Sequence, residues 1–242
     1  PVIAVPGSLP LLGAGDERAI PRSLPDGAAA LAGLARDCHL VHAFSIRSAL
    51  MAVLGRTGKP LVFHALISTP DPYDAIVASF ADAVLCNSEA TARRFAPGRA
   101  RVVYNGVPHP RPTESRLDLR PGRRTIGLVG NLCPRKGQLD ALPALEQVLE
   151  ARDDVDVAFV GRVAGPVAMT LSDRAAASGG RIRMLGWVPD IADHFHEFAL
   201  VVVPSRSEGF GRVAVESLRA GVPVLATRIE GLTEALRDVS DP

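Results

Sequence analysis

The sequence has few cysteines, few aromatic residues and almost no net charge, and each shortage excludes a class of protein. Its 242 residues include three cysteines, Cys38, Cys86 and Cys133, which are widely spaced and form no CxxC pair. This pattern argues against a disulfide framework and a cysteine-based zinc site, and it fits a reducing cytoplasm. The formal net charge of +1 gives no general reason to expect a nucleic-acid partner.

Long apolar segments and targeting signals are missing as well. No stretch approaches the roughly 18 to 20 apolar residues of a transmembrane helix, and no signal peptide stands at the visible N-terminus. The chain starts at Pro1 without a methionine, which suggests that an upstream segment is absent from this sequence. The composition that remains, 47% hydrophobic and 22% charged residues, is ordinary for a globular protein with a core.

Strand-like and helix-like segments alternate along the chain, which predicts an α/β fold with parallel sheets. In the first half the predicted strands are 2–5, 39–44, 60–64, 83–86 and 101–104, and the predicted helices are 26–36, 45–56, 71–80 and 88–95. In the second half the predicted strands are 125–129, 155–160, 182–185, 199–203 and 222–226, and the helices are 137–151, 167–178, 191–198 and 212–220. We therefore predict two doubly wound, Rossmann-like domains, since the length suits two ordinary domains.

The segment between Val107 and Arg124 has prolines at 108, 110, 112 and 121 and no apolar periodicity. Such a composition indicates a linker. The predicted division is a first domain over residues 1–110, a linker over 111–124 and a second domain over 125–242.

Arginines are concentrated around this linker. They outnumber the nearby acids Glu114 and Asp118, and they stand at positions 93, 94, 99, 101, 111, 116, 120, 123 and 124. Such a cluster suggests peripheral docking on an anionic membrane surface. Solvated surface arginines are the simpler alternative.

The most informative stretch runs from Val201 to Thr227. An apolar strand ends at Pro204, and a loop containing Gly209 and Gly211 leads into the next helix. In open α/β sheets, ligands bind beyond the carboxyl ends of the strands, where helix N-termini present N–H groups to anions. The turn from Gly209 through Phe210 to Gly211 is therefore predicted to donate backbone hydrogen bonds to an anion.

This stretch also carries two carboxylates, Glu208 in the loop and Glu216 in the helix. At different depths beside one cleft, they could hold different hydroxyl groups of one extended ligand. Taken singly, each is more simply explained as an ordinary loop charge or a solvated helix residue.

A second loop, from Gly127 to Leu142, places Arg135 and Lys136 at the start of a helix. Two cations and a helix N-terminus favour an anion at this point. The loop has neither P-loop nor GxGxxG spacing, and ordinary surface charges explain it equally well by itself. If both loops lie on one sheet edge, Lys136 and the glycine turn could hold a diphosphate between them.

Taken together, these motifs resemble the retaining glycosyltransferases of family 4, which have the GT-B fold. The likeness rests on EGFGRVAVE with PS before it and AGVPVLAT after it, on GNLCPRKG, on GWVPD at 186–190, and on Glu230-Gly231 with Glu234. In the first half VHAF, PLVFHA, the strand end Asn87-Ser88-Glu89 and VVYNGV follow the family's order. The resemblance implies two Rossmann-like domains facing a central cleft, with the N-terminal domain incomplete here because the family's glycine-rich loop is not visible.

The resemblance also implies roles for individual residues. Glu216 would bind the ribose of a sugar nucleotide, Glu208 would contact the transferred sugar, and Lys136 would stabilise the departing diphosphate. Backbone groups of Gly209, Phe210 and Gly211 would bind sugar and phosphate. His64 would approach the sugar from the first domain, while His42 is a weaker candidate. Trp187 and Val188 would lie near the base.

One position departs from the family pattern. The family commonly has an arginine directly after the glycine of the diphosphate loop, and this chain has Asn131 there. Either Arg135 supplies the missing charge or the grip on the phosphate is weaker.

The function implied is retaining transfer of a sugar from a UDP-, GDP- or ADP-sugar to an acceptor hydroxyl on a glycan, glycolipid or small molecule. No metal is predicted, since no Asp-x-Asp motif is placed at the cleft and cations can stabilise the leaving diphosphate. The expected location is the cytoplasm or the inner face of the membrane. Two alternatives remain open, a non-catalytic sugar-nucleotide-binding partner subunit and another GT-B enzyme such as an epimerase.

Overall fold

The computed structural model describes residues 3–4, 18–19, 23–107, 109–111, 117–163 and 165–237. The chain divides into two compact units, Pro1–Tyr104 and Asn105–Pro242. Each unit contains a parallel sheet with helices between its strands, as the alternating pattern predicts. The predicted α/β fold class is confirmed.

The first unit contains a four-stranded parallel sheet and a separate parallel pair. The pair is β1 (Ile3–Ala4) with β2 (Arg18–Ala19), and the sheet has the order β3 (Val41–Ala43), β4 (Leu61–Ala65), β5 (Ala83–Cys86), β6 (Ala100–Val102). Its helices are α1 (Leu24–Leu34), α2 (Ile46–Leu54), α3 (Asp74–Phe80) and α4 (Glu89–Ala92), with a 3-10 turn at Ala35–Asp37. The apolar core lies between these helices and the sheet and includes Met51 and Phe63.

Helix boundaries in the first unit follow capping and proline chemistry. Ser88 caps α4, because its side chain accepts a hydrogen bond from the Thr91 N–H. The predicted helix over 71–80 begins three residues late, at Asp74. Pro72 disfavours a helical Asp71, and residues 71–73 form a turn in which the Tyr73 N–H donates to Asp71 Oδ1 at 3.0 Å.

The second unit contains a five-stranded parallel sheet with the order β11-β10-β7-β8-β9. The strands are β7 (Arg124–Val129), β8 (Val155–Val160), β9 (Ile182–Gly186), β10 (Leu200–Val203) and β11 (Val224–Ala226). The helices are α5 (Gln138–Ala151), α6 (Gly165–Ala177), α7 (Arg212–Arg219) and α8 (Glu230–Ala235), with 3-10 segments at Pro134–Lys136 and Ile191–Glu197. β8 is buried over its whole length, as its apolar sequence predicts.

The strand order of this sheet reverses beside β7. From β7 the chain moves outward in one direction through β8 and β9, and then it returns to place β10 on the other side of β7. Such a reversal leaves a crevice at the carboxyl ends of the two central strands, where doubly wound folds bind their ligands. The crevice predicted by this rule lies between the loops that follow β7 and β10.

Part of the predicted linker packs on the second unit. Leu117 is buried in its core, and the Leu117 N–H donates to Glu197 at 3.2 Å. Arg120 and Arg123 both hydrogen-bond Asp156, at 2.6 and 2.8 Å. Burial works against ionisation of Asp156, but these two arginines lower the pKa of its carboxyl group. The exact limits of the two domains and of the linker stay a prediction.

Candidate functional site

The two loops predicted to bind a ligand follow neighbouring strands. Leu200 and Val201 of β10 pair with Ile126 and Gly127 of β7. Because both strands are parallel, their carboxyl ends meet at one edge of the sheet. The loop 130–137 and the loop 204–211 therefore lie side by side at the strand-order reversal.

Glycines let the backbones of these loops approach each other closely. Gly137 has φ +68°, and a Cβ at this position would lie 2.0 Å from the Pro204 carbonyl oxygen. A Cβ on Gly231, at the start of α8, would lie 2.3 Å from the carbonyl oxygen of Glu208. Any side chain at either position would push one loop away from its neighbour.

Lys136 and Glu208, predicted to share one ligand, are in direct contact. The Lys136 ammonium forms an ion pair with the Glu208 carboxylate, and their side chains are 16% and 10% exposed. Arg135 lies 3.5 Å from the same carboxylate and donates from Nη1 to the Ser207 carbonyl at 2.8 Å. Lys136 and Glu208 are thus largely buried partners in an ion pair. The alternative that they are ordinary solvated charges is wrong.

Ser205 is a member of this group that sequence reasoning missed. Its hydroxyl donates to Glu208 Oε1 at 2.8 Å, and the residue is 1% exposed. The spacing Ser205-x-x-Glu208 is the available signal, since a serine and an acid three residues apart are neighbours in a turn. This hydrogen bond restricts the rotamer of Glu208.

The glycine turn leads directly into α7. Gly209 and Phe210 are buried, and Gly211 has φ +77° at the N-cap position. A Cβ on Gly211 would lie 2.3 Å from Leu232 Cδ2, so α8 closes over the turn. The predicted placement of this turn at a helix N-terminus is what the structure has.

Glu216 lies on the buried face of α7 instead of the solvated face. It is 7% exposed, and Arg212 donates to its Oε1 at 2.6 Å from one helical turn earlier. Ala214 and Ser217 share this buried face, whereas Val213 and Leu218 are only half-buried. A buried carboxylate with one arginine partner retains capacity to accept hydrogen bonds from a ligand.

Three further candidates lie at the same edge of the sheet. Asn131 follows β7 and is exposed, and its carbonyl oxygen accepts from Gln138 Nε2 at 3.0 Å. Trp187 and Val188 follow β9, where Trp187 is 60% exposed and Val188 packs on the core. These residues are placed at the strand ends where the sequence predicts them.

His64 belongs to the first unit, within β4. Its ring stacks on that of His42, with centroids 5.6 Å apart and planes 3° from parallel, and Phe44 lies 5.4 Å away. Neither ring nitrogen of His64 has a hydrogen-bond partner among the described residues. Burial lowers the pKa of His64, and His42 lowers it further, so the ring is neutral at neutral pH.

Acidic residues do not gather into a metal site in the described part of the chain. No group of three His, Cys, Asp or Glu side chains there could hold a metal ion. The Asp154-Val155-Asp156 pattern lies at the amino end of β8, and Asp156 is bound by two arginines. Among those same described residues, no helix has the length and apolarity needed to cross a membrane.

Comparison with known families places one match on the second unit. Residues 123–241 match the family described as glycosyl transferases group 1. Both loops, Lys136, Glu208 and Glu216 lie inside the matched segment.

Curated relatives are 30–34% identical to this chain over the aligned segments. D-inositol 3-phosphate glycosyltransferase 1 of Catenulispora acidiphila is 30% identical, over 92% of this chain and 63% of its own length. A D-inositol 3-phosphate glycosyltransferase of Acidothermus cellulolyticus is 34% identical over 68% of this chain and 42% of its own. The lipopolysaccharide core biosynthesis mannosyltransferase LpsB of Rhizobium meliloti is 30% identical over 66% and 49%. The chain thus spans less than two thirds of each of these relatives.

Solved structures share the fold at lower sequence identity. Sucrose-phosphate synthase from Thermosynechococcus elongatus superposes with a TM-score of 0.73 at 18% identity, covering 94% of this chain and 70% of that one. Anabaena HepE in complex with UDP and glucose gives a TM-score of 0.69 at 22% identity, covering 90% and 68%. These neighbours are GT-B proteins, and the Rossmann-like fold of this chain is the one they have.

Proposed function

We infer, from the match of residues 123–241 to glycosyl transferases group 1, that this chain belongs to a glycosyltransferase using a nucleoside-diphosphate sugar. The observation that carries the proposal is the Lys136–Glu208 pair at the strand-order reversal of the second unit. A cation and a buried carboxylate at this edge suit a donor that has a diphosphate beside a sugar. The UDP complex of the similar HepE structure supports the same class of ligand.

Each side chain takes one part of the donor in this proposal. Lys136 binds the diphosphate, exchanging part of its contact with Glu208 for phosphate oxygens. Glu208, held by Ser205, accepts from hydroxyl groups of the transferred sugar. Glu216 accepts from the ribose hydroxyls, while Gly209 through Gly211 contribute backbone groups at the N-terminus of α7.

The remaining donor contacts come from the neighbouring strand ends. Asn131 and Arg135 border the diphosphate, and Val188 borders the base. Arg135 already donates to the Ser207 carbonyl, so it holds the two loops together in addition to any phosphate contact. Because Arg135 also makes this contact, we expect it to bind the phosphate more weakly than an arginine at position 131 would.

We propose transfer with retention at the anomeric carbon and without a metal ion. The bond from the anomeric carbon to the phosphate oxygen breaks, and its electron pair leaves with the diphosphate. The acceptor oxygen attacks from the same face and passes its proton to the leaving phosphate oxygen, so no separate protein base is needed. Lys136 and the N-terminus of α7 stabilise the charge that develops on the diphosphate. Turnover lost on chelation and restored by a divalent ion would contradict this scheme.

The proposal is tested by a panel of nucleoside diphosphates and their sugars. We expect UDP, GDP or ADP to raise the melting temperature, because a ligand of the folded state stabilises it by mass action. We also expect slow release of the nucleoside diphosphate from the matching sugar donor. Binding without any release or transfer would instead support a non-catalytic subunit, and epimerised donor would support an epimerase. Binding of no nucleotide at all would overturn the proposal.

His64 is proposed to contact the transferred sugar through its neutral ring, whose nitrogens have no hydrogen-bond partner in the described part of the chain. We expect His64→Ala to lower turnover at least about tenfold, with unchanged affinity for the nucleoside diphosphate, whose site is in the second unit. His42→Ala is the matched control, because the two rings stack in one unit. Equal losses in both variants would show that the histidines serve packing alone.

A cytoplasmic location and peripheral membrane contact stay proposals. Most described arginines of the cluster already have partners: Arg94 binds Asp74, Arg99 binds backbone carbonyls, Arg120 and Arg123 bind Asp156, and Arg124 lies 3.9 Å from Asp154. Membrane contact would therefore depend on exposed members such as Arg101 and Arg111. Failure to float with anionic liposomes at low salt would exclude it.

A further inference from the structure

A second set of contacts connects the segments around the loops 130–137 and 204–211. Arg206 donates to Asp140 through two hydrogen bonds, both 2.6 Å long. The Arg206 N–H also donates to the Arg135 carbonyl oxygen at 2.9 Å. Arg206 stands two residues before Glu208, and Asp140 stands four residues after Lys136, in the first turn of α5. The pair thus joins, across 66 residues of chain, the segments that carry the two charged groups of the site.

Stability does not account for this arrangement. The side chains of Arg206 and Asp140 are 63% and 46% exposed, and exposed ion pairs contribute little to the free energy of folding. Arg206 does, however, form a bidentate pair, which fixes the relative position of its two partners better than a single contact does. Loss of the Arg206–Asp140 pair should therefore change the relative position of the two segments more than the free energy of folding.

Close packing makes the spacing between these loops sensitive to small changes. Gly137 leaves no room for a Cβ beneath the Pro204 carbonyl, so the loops already touch through backbone atoms. A shift of one loop changes the distance between Lys136 and Glu208 directly, because each lies within a few residues of the Arg206–Asp140 contact. Misplacement of binding groups by about 1 Å can cost as much as 100-fold in rate.

We propose that Arg206 and Asp140 form a positioning pair that sets the separation of the Lys136 and Glu208 loops and thereby the grip on the donor diphosphate. This proposal rests on the proposed function. Neither residue touches the donor. Both act through the loops they hold.

The test compares Arg206→Gln, Asp140→Asn and the double variant, using inorganic pyrophosphate and UDP as probes. Each single variant should weaken binding of both probes about fivefold to tenfold, while the melting temperature stays within about 2 °C. The double variant should be no worse than the worse single variant, since the second change removes a contact that is already lost. If the losses of binding free energy in the two single variants add up in the double variant, the proposal that the two residues act as a pair is wrong.

Asp140→Asn separates positioning from simple electrostatics. Removing a negative charge near an anion site should strengthen pyrophosphate binding if only long-range charge matters. A positioning role predicts the opposite sign, a weaker complex. Tighter binding by Asp140→Asn would therefore contradict the proposal.

Arg152 and Asp154 provide matched controls within the same unit. They form another bidentate pair, with both bonds 2.9 Å, between residues two positions apart, and their side chains are 54% and 47% exposed. Arg152→Gln and Asp154→Asn should leave both affinities unchanged. Equal losses in these variants would indicate a general effect of surface charge and would overturn the proposal.

A measurement without ligand keeps this inference separate from the proposed function. Amide hydrogen exchange in peptides covering residues 204–211 should be faster in Arg206→Gln and Asp140→Asn than in the wild type and the controls. If the wild type binds neither pyrophosphate, UDP nor any sugar nucleotide, the proposed function fails, and the exchange result alone still decides whether the pair holds the loops. Unchanged exchange together with unchanged affinity would refute the positioning role.

Discussion

We expect turnover of the sugar donor to fall about 100- to 1,000-fold when Lys136 is replaced by alanine. This is the loss that accompanies removal of one preorganised group that stabilises charge in a transition state. Lys136 lies at the strand-order reversal and already holds the carboxylate of Glu208. In the proposed mechanism the ammonium is thus already in place before the diphosphate leaves, whereas water molecules taking its place would first have to reorient.

The same change should also lower stability, because the carboxylate of Glu208 is buried and loses a partner. The expected loss in the free energy of unfolding is about 1–3 kcal/mol, moderated by the hydrogen bond from Ser205 and the nearby Arg135. Activity must therefore be measured well below the melting temperature, with folding checked by circular dichroism.

Lys59 is the other lysine of the chain and provides the control. Lys59 lies in the first unit, so Lys59→Ala should leave donor turnover unchanged. Lys136→Arg should recover part of the activity, since it restores the charge with a different geometry. Full turnover in a folded Lys136→Ala protein would remove Lys136 from the mechanism.

The largest expected effect on stability lies in the first unit, at Arg94. We expect Arg94→Ala to lower the free energy of unfolding by about 3–5 kcal/mol. Arg94 and Asp74 have side chains only 5% and 8% exposed, and Arg94 Nε donates to Asp74 Oδ2 at 2.9 Å. Truncating the arginine leaves the Asp74 carboxylate buried with only the Asp71 N–H as an identified donor among the described contacts.

Urea unfolding of the variant and the wild type measures this difference. Arg101→Ala is the control, because Arg101 is exposed in the same unit and should change stability by less than about 0.5 kcal/mol. The double replacement Arg94→Met with Asp74→Leu should cost less than Arg94→Ala, since no charge is then left buried. A loss below about 1 kcal/mol for Arg94→Ala would show that water reaches Asp74 in solution.

Local sequence pattern predicted most of the strands and helices. The strands Ala83–Cys86 and Val155–Val160 have the predicted limits, because apolar runs between turn residues have few alternatives to a buried parallel strand. The main errors lie at helix ends, as at Asp74, where the turn that contains Pro72 delays the start of the helix.

The site was predicted in its parts but not in its contacts. Gly209, Gly211, Glu208 and Lys136 could be nominated from spacing, since glycine turns after apolar strands and cations at helix starts are local features. The family resemblance supplied their roles, and those roles stay predictions. The sequence did not predict the burial of Glu216, because a helical pattern assigns acidic residues to the solvated face. The pattern also does not show which residues of other elements pack around Glu216.

The contacts depend on the order of the strands in space. Lys136 and Glu208 are 72 residues apart, and Arg206 and Asp140 are 66 apart. They meet because β10 returns to pair with β7 instead of extending the sheet beyond β9. Local pattern decides which segments become strands and which residues stand at their carboxyl ends, because backbone and side-chain preferences act over a few residues. Only the packed sheet decides which two ends are neighbours, because that choice depends on how all five strands and their helices bury their apolar faces together.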